Sequence, residues 1–165
     1  MVILLTSFDT WLPHQVSNSS DDLLQKIEQE NHDYLCFLRK LPVNTDLASQ
    51  KTISKIQEVN PQTVICCGMA EKRDHLTIES HARCGNDCQY SQADLTKLLS
   101  CLDQTAISHD AGNFVCEGLY YQVLKYLHQH NRKTDCIFVH VPILNQINTQ
   151  TIYHDFAKII NFLEH

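Results

Sequence analysis

Short apolar runs alternate with amphipathic segments along nearly the whole chain. Four of the runs, residues 2–6, 34–38, 63–67 and 136–141, are rich in aliphatic residues, Phe and Cys and have the length of buried strands. Alternation of buried strands with helices is typical of an α/β fold, in which a mostly parallel twisted sheet carries helices on both faces. The pattern predicts this fold, and we expect a single domain over residues 1–165.

Apolar residues at helical spacing predict helices between these strands. The predicted helices span residues 20–30, 47–59, 94–102, 114–130 and 151–163. Two shorter strands are predicted at residues 75–78 and 105–108, whereas residues 83–91 are rich in turn formers and indicate no regular element. In sheets of this class, functional groups gather at the carboxyl ends of strands. Residues that end strands are therefore the first candidates for chemistry.

Composition excludes several classes of partner. The formal net charge of −6 gives no basic surface for nucleic acid or anionic lipid. The opening apolar run is too short, and lacks the basic flank, for a secretory signal, and no run approaches the length of a membrane span. We therefore predict a cytoplasmic protein with no nucleic-acid or membrane partner, whose eight cysteines are reduced.

Cys116 follows a turn-forming stretch, residues 110–115, and begins a long predicted helix. The partial positive charge of a helix N-terminus stabilises a thiolate, and the free N–H groups there can stabilise an oxyanion. We therefore expect Cys116 to be reactive near neutral pH and the most readily alkylated of the eight cysteines. An arbitrary cysteine in such a chain is more often a small buried core residue.

His140 and Glu79 are the corresponding candidates for proton transfer. His140 ends a strongly hydrophobic strand just before Val141 and Pro142, which suits a general base. Glu79 ends the strand-like run from His75, and its carboxylate is able to orient an imidazole. Taken singly, either residue is explained as an ordinary structural or surface group, since the chain has ten histidines.

In order and spacing, four segments together resemble the motifs of the pyroglutamyl-peptidase I (pyrrolidone-carboxylate peptidase) family of cysteine peptidases. The family motifs are a G-F-x-P-F-G-G loop, V-G-x-A-G-G-R shortly before a catalytic glutamate, A-G-x-F/Y-x-C and F-x-H-x-P. The matching segments are Ser7-Phe8-Asp9-Thr10-Trp11, Cys67-Gly68-Met69-Ala70-Glu71-Lys72-Arg73 with Leu76-Thr77-Ile78-Glu79, Ala111-Gly112-Asn113-Phe114-Val115-Cys116 and Phe138-Val139-His140-Val141-Pro142. The resemblance spans nearly the whole chain.

The resemblance implies a triad of Glu79, Cys116 and His140 that performs acyl transfer through a thioester. It implies that substrate is bound by four further residues: Phe8, Trp11, Met69 and Val115. The implied substrate is a small peptide with a blocked, pyroglutamyl N-terminus, and no metal or organic cofactor is required. The resemblance is also compatible with a homo-oligomer.

The chain departs from the family beside the implied substrate pocket. Leu12 and Pro13 replace the last glycine pair of the first loop, Trp11 replaces a smaller Phe, and Glu71 with Lys72 replaces the Gly-Gly pair. The catalytic segments match better than these specificity elements. These departures leave two alternatives to a pyroglutamyl peptidase: a related amidase or peptidase with altered preference, and a catalytically impaired member that acts as a ligand- or protein-binding module.

Two further interpretations concern cysteines. His81, Cys84 and Cys88, with or without His75, offer donors for zinc, although structural zinc usually takes two well-separated ligand pairs. Cys66 and Cys67 are a weaker redox candidate, because adjacent cysteines within an apolar strand lack C-x-x-C spacing.

Overall fold

The computed structural model describes residues 1–164 of the chain, which contain eight strands and five helices. The strands are β1 (Ile3–Phe8), β2 (Leu35–Leu41), β3 (Thr63–Met69), β4 (Thr77–Glu79), β5 (His81–Cys84), β6 (Asp87–Tyr90), β7 (Ala106–Ser108) and β8 (Asp135–Val141). The helices are α1 (Ser19–Glu28), α2 (Thr45–Val59), α3 (Leu95–Leu99), α4 (Val115–Gln129) and α5 (Thr149–Leu163).

Six of the strands form one sheet, in the order β2-β1-β3-β8-β4-β7. The first four of these strands are mutually parallel, β4 runs antiparallel to β8, and β7 is parallel to β4. The predicted mostly parallel sheet is therefore confirmed. Its central strands are mostly apolar because both faces are covered, as the fully buried β1 illustrates.

Helices cover both faces of the sheet, as predicted. One core contains Leu24 of α1 and Phe156 of α5 with alternate strand residues, and the other contains Ile56 of α2 and Leu124 of α4. Strand side chains alternate between the two cores because successive residues point to opposite faces. None of the helices within residues 1–164 combines the length and hydrophobicity that crossing a bilayer requires.

The β5–β6 hairpin is the element that the sequence pattern missed. Gly85 adopts a left-handed backbone with φ of 58°, and Gly85-Asn86 is a two-residue turn of the kind that joins hairpin strands. The inner face of the hairpin packs against α4, where Asp87 accepts a hydrogen bond from the Tyr121 hydroxyl at 2.6 Å. The strands are short and largely polar, so their alternation alone did not distinguish them from a loop.

A crevice opens where the chain changes direction in the sheet. The chain passes from β1 to β2 on one side and then to β3 on the other side of β1. Such a switch point leaves the carboxyl ends of the two inner strands uncovered. Phe8 ends β1 and Met69 ends β3, so both lie at this crevice.

Candidate active site

Glu79 and His140 are joined by a buried hydrogen bond between β4 and β8. The two strands are antiparallel, with Thr77 opposite His140, so Glu79 is the diagonal neighbour of His140 on the same face. His140 Nδ1 lies 2.7 Å from Glu79 Oε1. The glutamate is fully buried and the histidine is 5% exposed. Glu79 ends a strand, as predicted. Because β4 is antiparallel to β8, however, the carboxyl end of β4 does not lie at the edge of the sheet where the parallel strands have their carboxyl ends.

Arg73 completes the surroundings of this carboxylate. Its guanidinium donates from Nη1 to Glu79 Oε1 at 2.6 Å and from Nη2 to the Asp110 carbonyl at 2.9 Å. Burial alone would raise the pKa of Glu79, but hydrogen bonds from His140, Ser108 and Arg73 together lower it below its usual value. Glu79 is thus ionised at neutral pH and can only accept, so His140 Nδ1 donates. The Nε2 nitrogen is left to exchange a proton.

Cys116 is the second residue of α4, and its sulfur packs against the sheet at Gly68. A Cβ atom added at Gly68 would lie 2.6 Å from the Cys116 Sγ atom and 2.9 Å from the Phe138 ring. Gly68 pairs in register with His140 across β3 and β8, so their side-chain positions share one face of the sheet. The sulfur therefore lies on the imidazole side, in a space that only glycine leaves open.

The surroundings of the Cys116 thiol do not favour a resting thiolate. Burial, the Glu79 charge and Cys66 raise the pKa of Cys116 to about 12, against smaller lowering effects of Arg73 and the Cys116 N–H. The helix N-terminus lacks a side-chain cap, and desolvation opposes the stabilisation that its field would give a thiolate. The expectation of reactivity near neutral pH is therefore corrected. In the free protein the thiol holds its proton until a base removes it.

A cavity of about 210 Å³ opens beside Cys116. Its lining includes all four residues that the family resemblance implied for substrate, namely Phe8, Trp11, Met69 and Val115. Phe8 is buried, whereas Trp11 is 50% exposed and packs on Phe114 with the two rings tilted and their centroids 4.9 Å apart. The cavity thus combines an apolar interior with an open aromatic rim next to the thiol.

The cavity wall contains three polar residues that the sequence did not identify as site residues, namely Gln15, Asn18 and Glu71. Gln15 Oε1 accepts hydrogen bonds from the Trp11 and Leu12 backbone N–H groups at 3.0 and 3.2 Å, and Gln15 Nε2 donates to Glu71 Oε1 at 2.8 Å. These bonds connect the loop after β1 to the loop after β3. Gln15 therefore fixes the rim that carries Trp11.

Two other residues near the site also escaped the sequence analysis. Arg73 ends the Cys67–Arg73 motif six residues before Glu79, but the motif does not indicate a contact with the glutamate. Tyr120 is buried, and its hydroxyl donates to the Glu79 backbone carbonyl at 3.0 Å. Tyr120 lies four residues after Cys116 on α4, so helical periodicity places both side chains on one face. That spacing was the sequence signal that could have placed Tyr120 near the site.

The zinc interpretation is not supported by the hairpin register. Arg83 lies opposite Cys88, and Cys84 lies opposite Asp87, so the side chains of Cys84 and Cys88 point to opposite faces. No group of three His, Cys, Asp or Glu residues within residues 1–164 is arranged to hold a metal ion. Cys66 and Cys67 are both buried and contribute to opposite cores of the sheet, as core residues of a strand would.

The known proteins that this chain resembles in sequence are pyroglutamyl (pyrrolidone-carboxylate) peptidases. The sequence profile of a family described as pyroglutamyl peptidase matches residues 103–156. A pyrrolidone-carboxylate peptidase of Bacillus cytotoxicus is 26% identical over 86% of this chain and 78% of its own length. One from Brachyspira hyodysenteriae is 24% identical over 99% of this chain and 96% of its own length.

Solved structures show the same fold. Pyrrolidone carboxyl peptidase from Pyrococcus furiosus superimposes with a TM-score of 0.86 at 16% identity, covering 99% of this chain and 98% of that one. Pyroglutamyl peptidase I from Bacillus amyloliquefaciens gives a TM-score of 0.79 at 18% identity, covering 98% and 91%. The architecture described above is therefore that of these enzymes.

Proposed function

Because this chain belongs to the pyroglutamyl peptidase family, we propose that it is a cysteine-type hydrolase that removes an N-terminal pyroglutamyl residue from small peptides. The observation that carries the proposal is the buried Glu79–His140 hydrogen bond of 2.7 Å on the face of the sheet against which Cys116 packs. A thiol, an imidazole and an orienting carboxylate are the groups that acyl transfer requires.

In the proposed reaction, His140 Nε2 takes the Cys116 proton as Sγ attacks the pyroglutamyl carbonyl carbon. The tetrahedral oxyanion is stabilised by backbone N–H groups at the uncapped start of α4. When the C–N bond breaks, His140 gives its proton to the leaving amine and a thioester remains. Water, deprotonated by His140, then hydrolyses the thioester and returns the thiol.

The raised pKa of Cys116 gives His140 a defined task. A thiol with a pKa of about 12 needs a neighbouring base to attack at neutral pH. Glu79 supports this transfer because its negative charge stabilises the imidazolium that forms. The carboxylate thus opposes a resting thiolate and yet favours the charged histidine during the reaction.

Substrate binding is proposed for the cavity beside Cys116. Its apolar residues, including Phe8 and Trp11, suit the faces of a five-membered lactam ring. The chemistry proposed here uses no metal or organic cofactor, since the three side chains supply nucleophile, base and orienting group. We further propose a cytoplasmic location, in keeping with eight free cysteines. We also propose that the protein assembles as a homo-oligomer.

Product analysis tests this function. The protein is incubated with a pyroglutamyl peptide and, separately, with the same peptide beginning with uncyclised glutamine, and products are identified by mass spectrometry. We expect free pyroglutamate from the first peptide and no cleavage of the second. An intact pyroglutamyl peptide, or equal cleavage by the Cys116→Ala variant, would overturn the proposal.

A further inference from the structure

A second cavity of about 200 Å³ adjoins the one beside Cys116. The two share a wall formed by Gln15, Met69 and Glu71. The rest of the second cavity's lining includes the apolar residues Val16, Ile143 and Leu144. Of these, Val16 is fully exposed and Ile143 about half exposed, so the cavity is open to solvent.

Glu71 is held in this wall by two side chains. Gln15 Nε2 donates to Glu71 Oε1 at 2.8 Å, and His14 Nε2 lies 3.1 and 3.2 Å from the two carboxylate oxygens. The hydrogen bonds from Gln15 and His14 lower the pKa of Glu71, so the carboxylate is ionised at neutral pH. Oε2 retains acceptor capacity, since an ionised carboxylate oxygen can accept more than one hydrogen bond.

No lysine or arginine lines either cavity within residues 1–164. The one basic side chain in contact with Glu71 there is the imidazole of His14. Asp22 also lines the second cavity and adds a further negative charge. The wall between the cavities is consequently electronegative at neutral pH.

The position of the leaving group follows from the proposed function, on which this inference rests. His140 must protonate the leaving amine, so the residue after the scissile bond begins beside His140. From His140 the chain runs through Val141 and Pro142 directly to Ile143, which lines the second cavity. The second cavity also shares a wall with the cavity that Cys116 lines, and we therefore assign it to the side chain of that residue.

We propose that Glu71 is a specificity-determining residue that favours lysine or arginine immediately after the scissile bond. The apolar wall suits the aliphatic stem of such a side chain, and the carboxylate suits its charged end. The family motif that this segment resembles has glycine at the position of Glu71, so we assign the preference to this chain and not to the family. The ion pair is partly exposed to solvent, and its effect is correspondingly modest.

Binding to the Cys116→Ala variant tests the proposal without requiring turnover. The two probes are pyroglutamyl-lysine amide and pyroglutamyl-norleucine amide, because norleucine keeps the linear stem and lacks the ammonium group. By titration calorimetry at low ionic strength, we expect the lysine peptide to bind about threefold to fivefold more tightly. The ratio should fall with added salt and approach one when Glu71→Gln is added.

A matched variant separates a local from a general charge effect. Glu58→Gln removes the same charge from the last turn of α2, at the opposite edge of the sheet, where Glu58 is exposed and pairs with Lys55. Added to Cys116→Ala, it should leave the affinity ratio as it was. Using a ratio between two peptides cancels any general effect of Glu71→Gln on the pocket.

The outcomes for this inference and for the proposed function are distinguishable. Equal affinities, a preference that survives Glu71→Gln, or no measurable binding of either peptide would overturn the role of Glu71. Cleavage of both peptides by the unsubstituted protein, measured in parallel, would still support the proposed function. A lysine preference in binding without any cleavage would support the role of Glu71 and contradict the hydrolase.

Discussion

The Glu79 carboxylate and the His140 imidazole meet diagonally across two antiparallel strands, with Oε1 and Nδ1 2.7 Å apart. Both side chains are buried, and Arg73 donates to the same carboxylate oxygen. An ion pair in this setting is weakly screened, so the charge of Glu79 acts strongly on both the histidine and the thiol.

Glu79→Gln should lower kcat for a pyroglutamyl amide by about 10²- to 10⁴-fold. The amide can no longer stabilise the imidazolium or fix the Nδ1–H tautomer. Steady-state kinetics measure the loss, and urea unfolding establishes that the variant is folded. Asp74→Asn is the matched control. It removes an exposed carboxylate five residues before Glu79 and should retain kcat. A Glu79→Gln kcat within about threefold of the unsubstituted protein would contradict the role of Glu79.

In the free protein, Cys84 and Cys101 should react with iodoacetamide before Cys116 at pH 7. Both are exposed, whereas burial and the Glu79 charge raise the pKa of Cys116 to about 12. Peptide mapping should show Cys116 labelling that rises about tenfold per pH unit from pH 7 to 10. A plateau below about pH 8 would instead indicate a resting thiolate. Labelling of all eight cysteines in urea controls for intrinsic reactivity.

Gly68→Ala should impair catalysis more than folding. The new Cβ would lie 2.6 Å from the Cys116 sulfur and 2.9 Å from Phe138, so the nucleophile must move. We expect kcat to fall by about 10²-fold and the free energy of unfolding by about 1–3 kcal/mol.

Gly118→Ala provides the control for Gly68→Ala. Its Cβ would meet Thr45 of α2 at 2.5 Å, so it is also destabilising but does not touch the sulfur. If Gly118→Ala lowers kcat as much as Gly68→Ala, the proposed contact with the nucleophile is not the cause.

Asp155 should contribute stability that disappears in acid. Its carboxylate accepts hydrogen bonds from the backbone N–H groups of Asp103 and Gln104 and from the Thr105 hydroxyl. Burial would raise the pKa of Asp155, but these bonds lower it below the usual value. Between the lowered folded value and the unfolded value of about 3.9, the unfolded chain binds more protons, so stability rises with pH.

The comparison of Asp155→Asn with the unsubstituted protein isolates this effect. At pH 7 the substitution should reduce the free energy of unfolding by about 1.5–3 kcal/mol. The difference should shrink as the pH falls from about 4 through the folded pKa. Urea unfolding at several pH values measures it. A difference that is the same at pH 7 and pH 3 would contradict the assignment.

The sequence predicted the sheet and its helices because both signals are local. The buried run that became β3, for example, is apolar without alternation, which only a strand covered on both faces requires. The direction of β4 was not predictable in this way. Three residues carry too little pattern to show that the strand runs antiparallel to β8, yet that direction places Glu79 diagonally opposite His140.

The candidate site was only partly accessible from the sequence for a similar reason. Motif order selected Glu79, Cys116 and His140, and the cavity lining includes the four predicted substrate residues. The contacts of Arg73 and Gln15 depend on how separate loops meet, which spacing along the chain does not encode. The pKa of Cys116 was misjudged because a helix N-terminus is visible in sequence, whereas burial of the thiol is not.

Hydrolysis of a pyroglutamyl amide reporter by the purified protein tests the central claim most directly. Steady-state rates are measured over a wide range of substrate concentration, with Cys116→Ala as the blank. We predict saturable release of the reporter, slower than in typical family members because the pocket wall carries Glu71 and Trp11, and no release by the blank. A rate equal to that of Cys116→Ala at high substrate concentration would contradict the account.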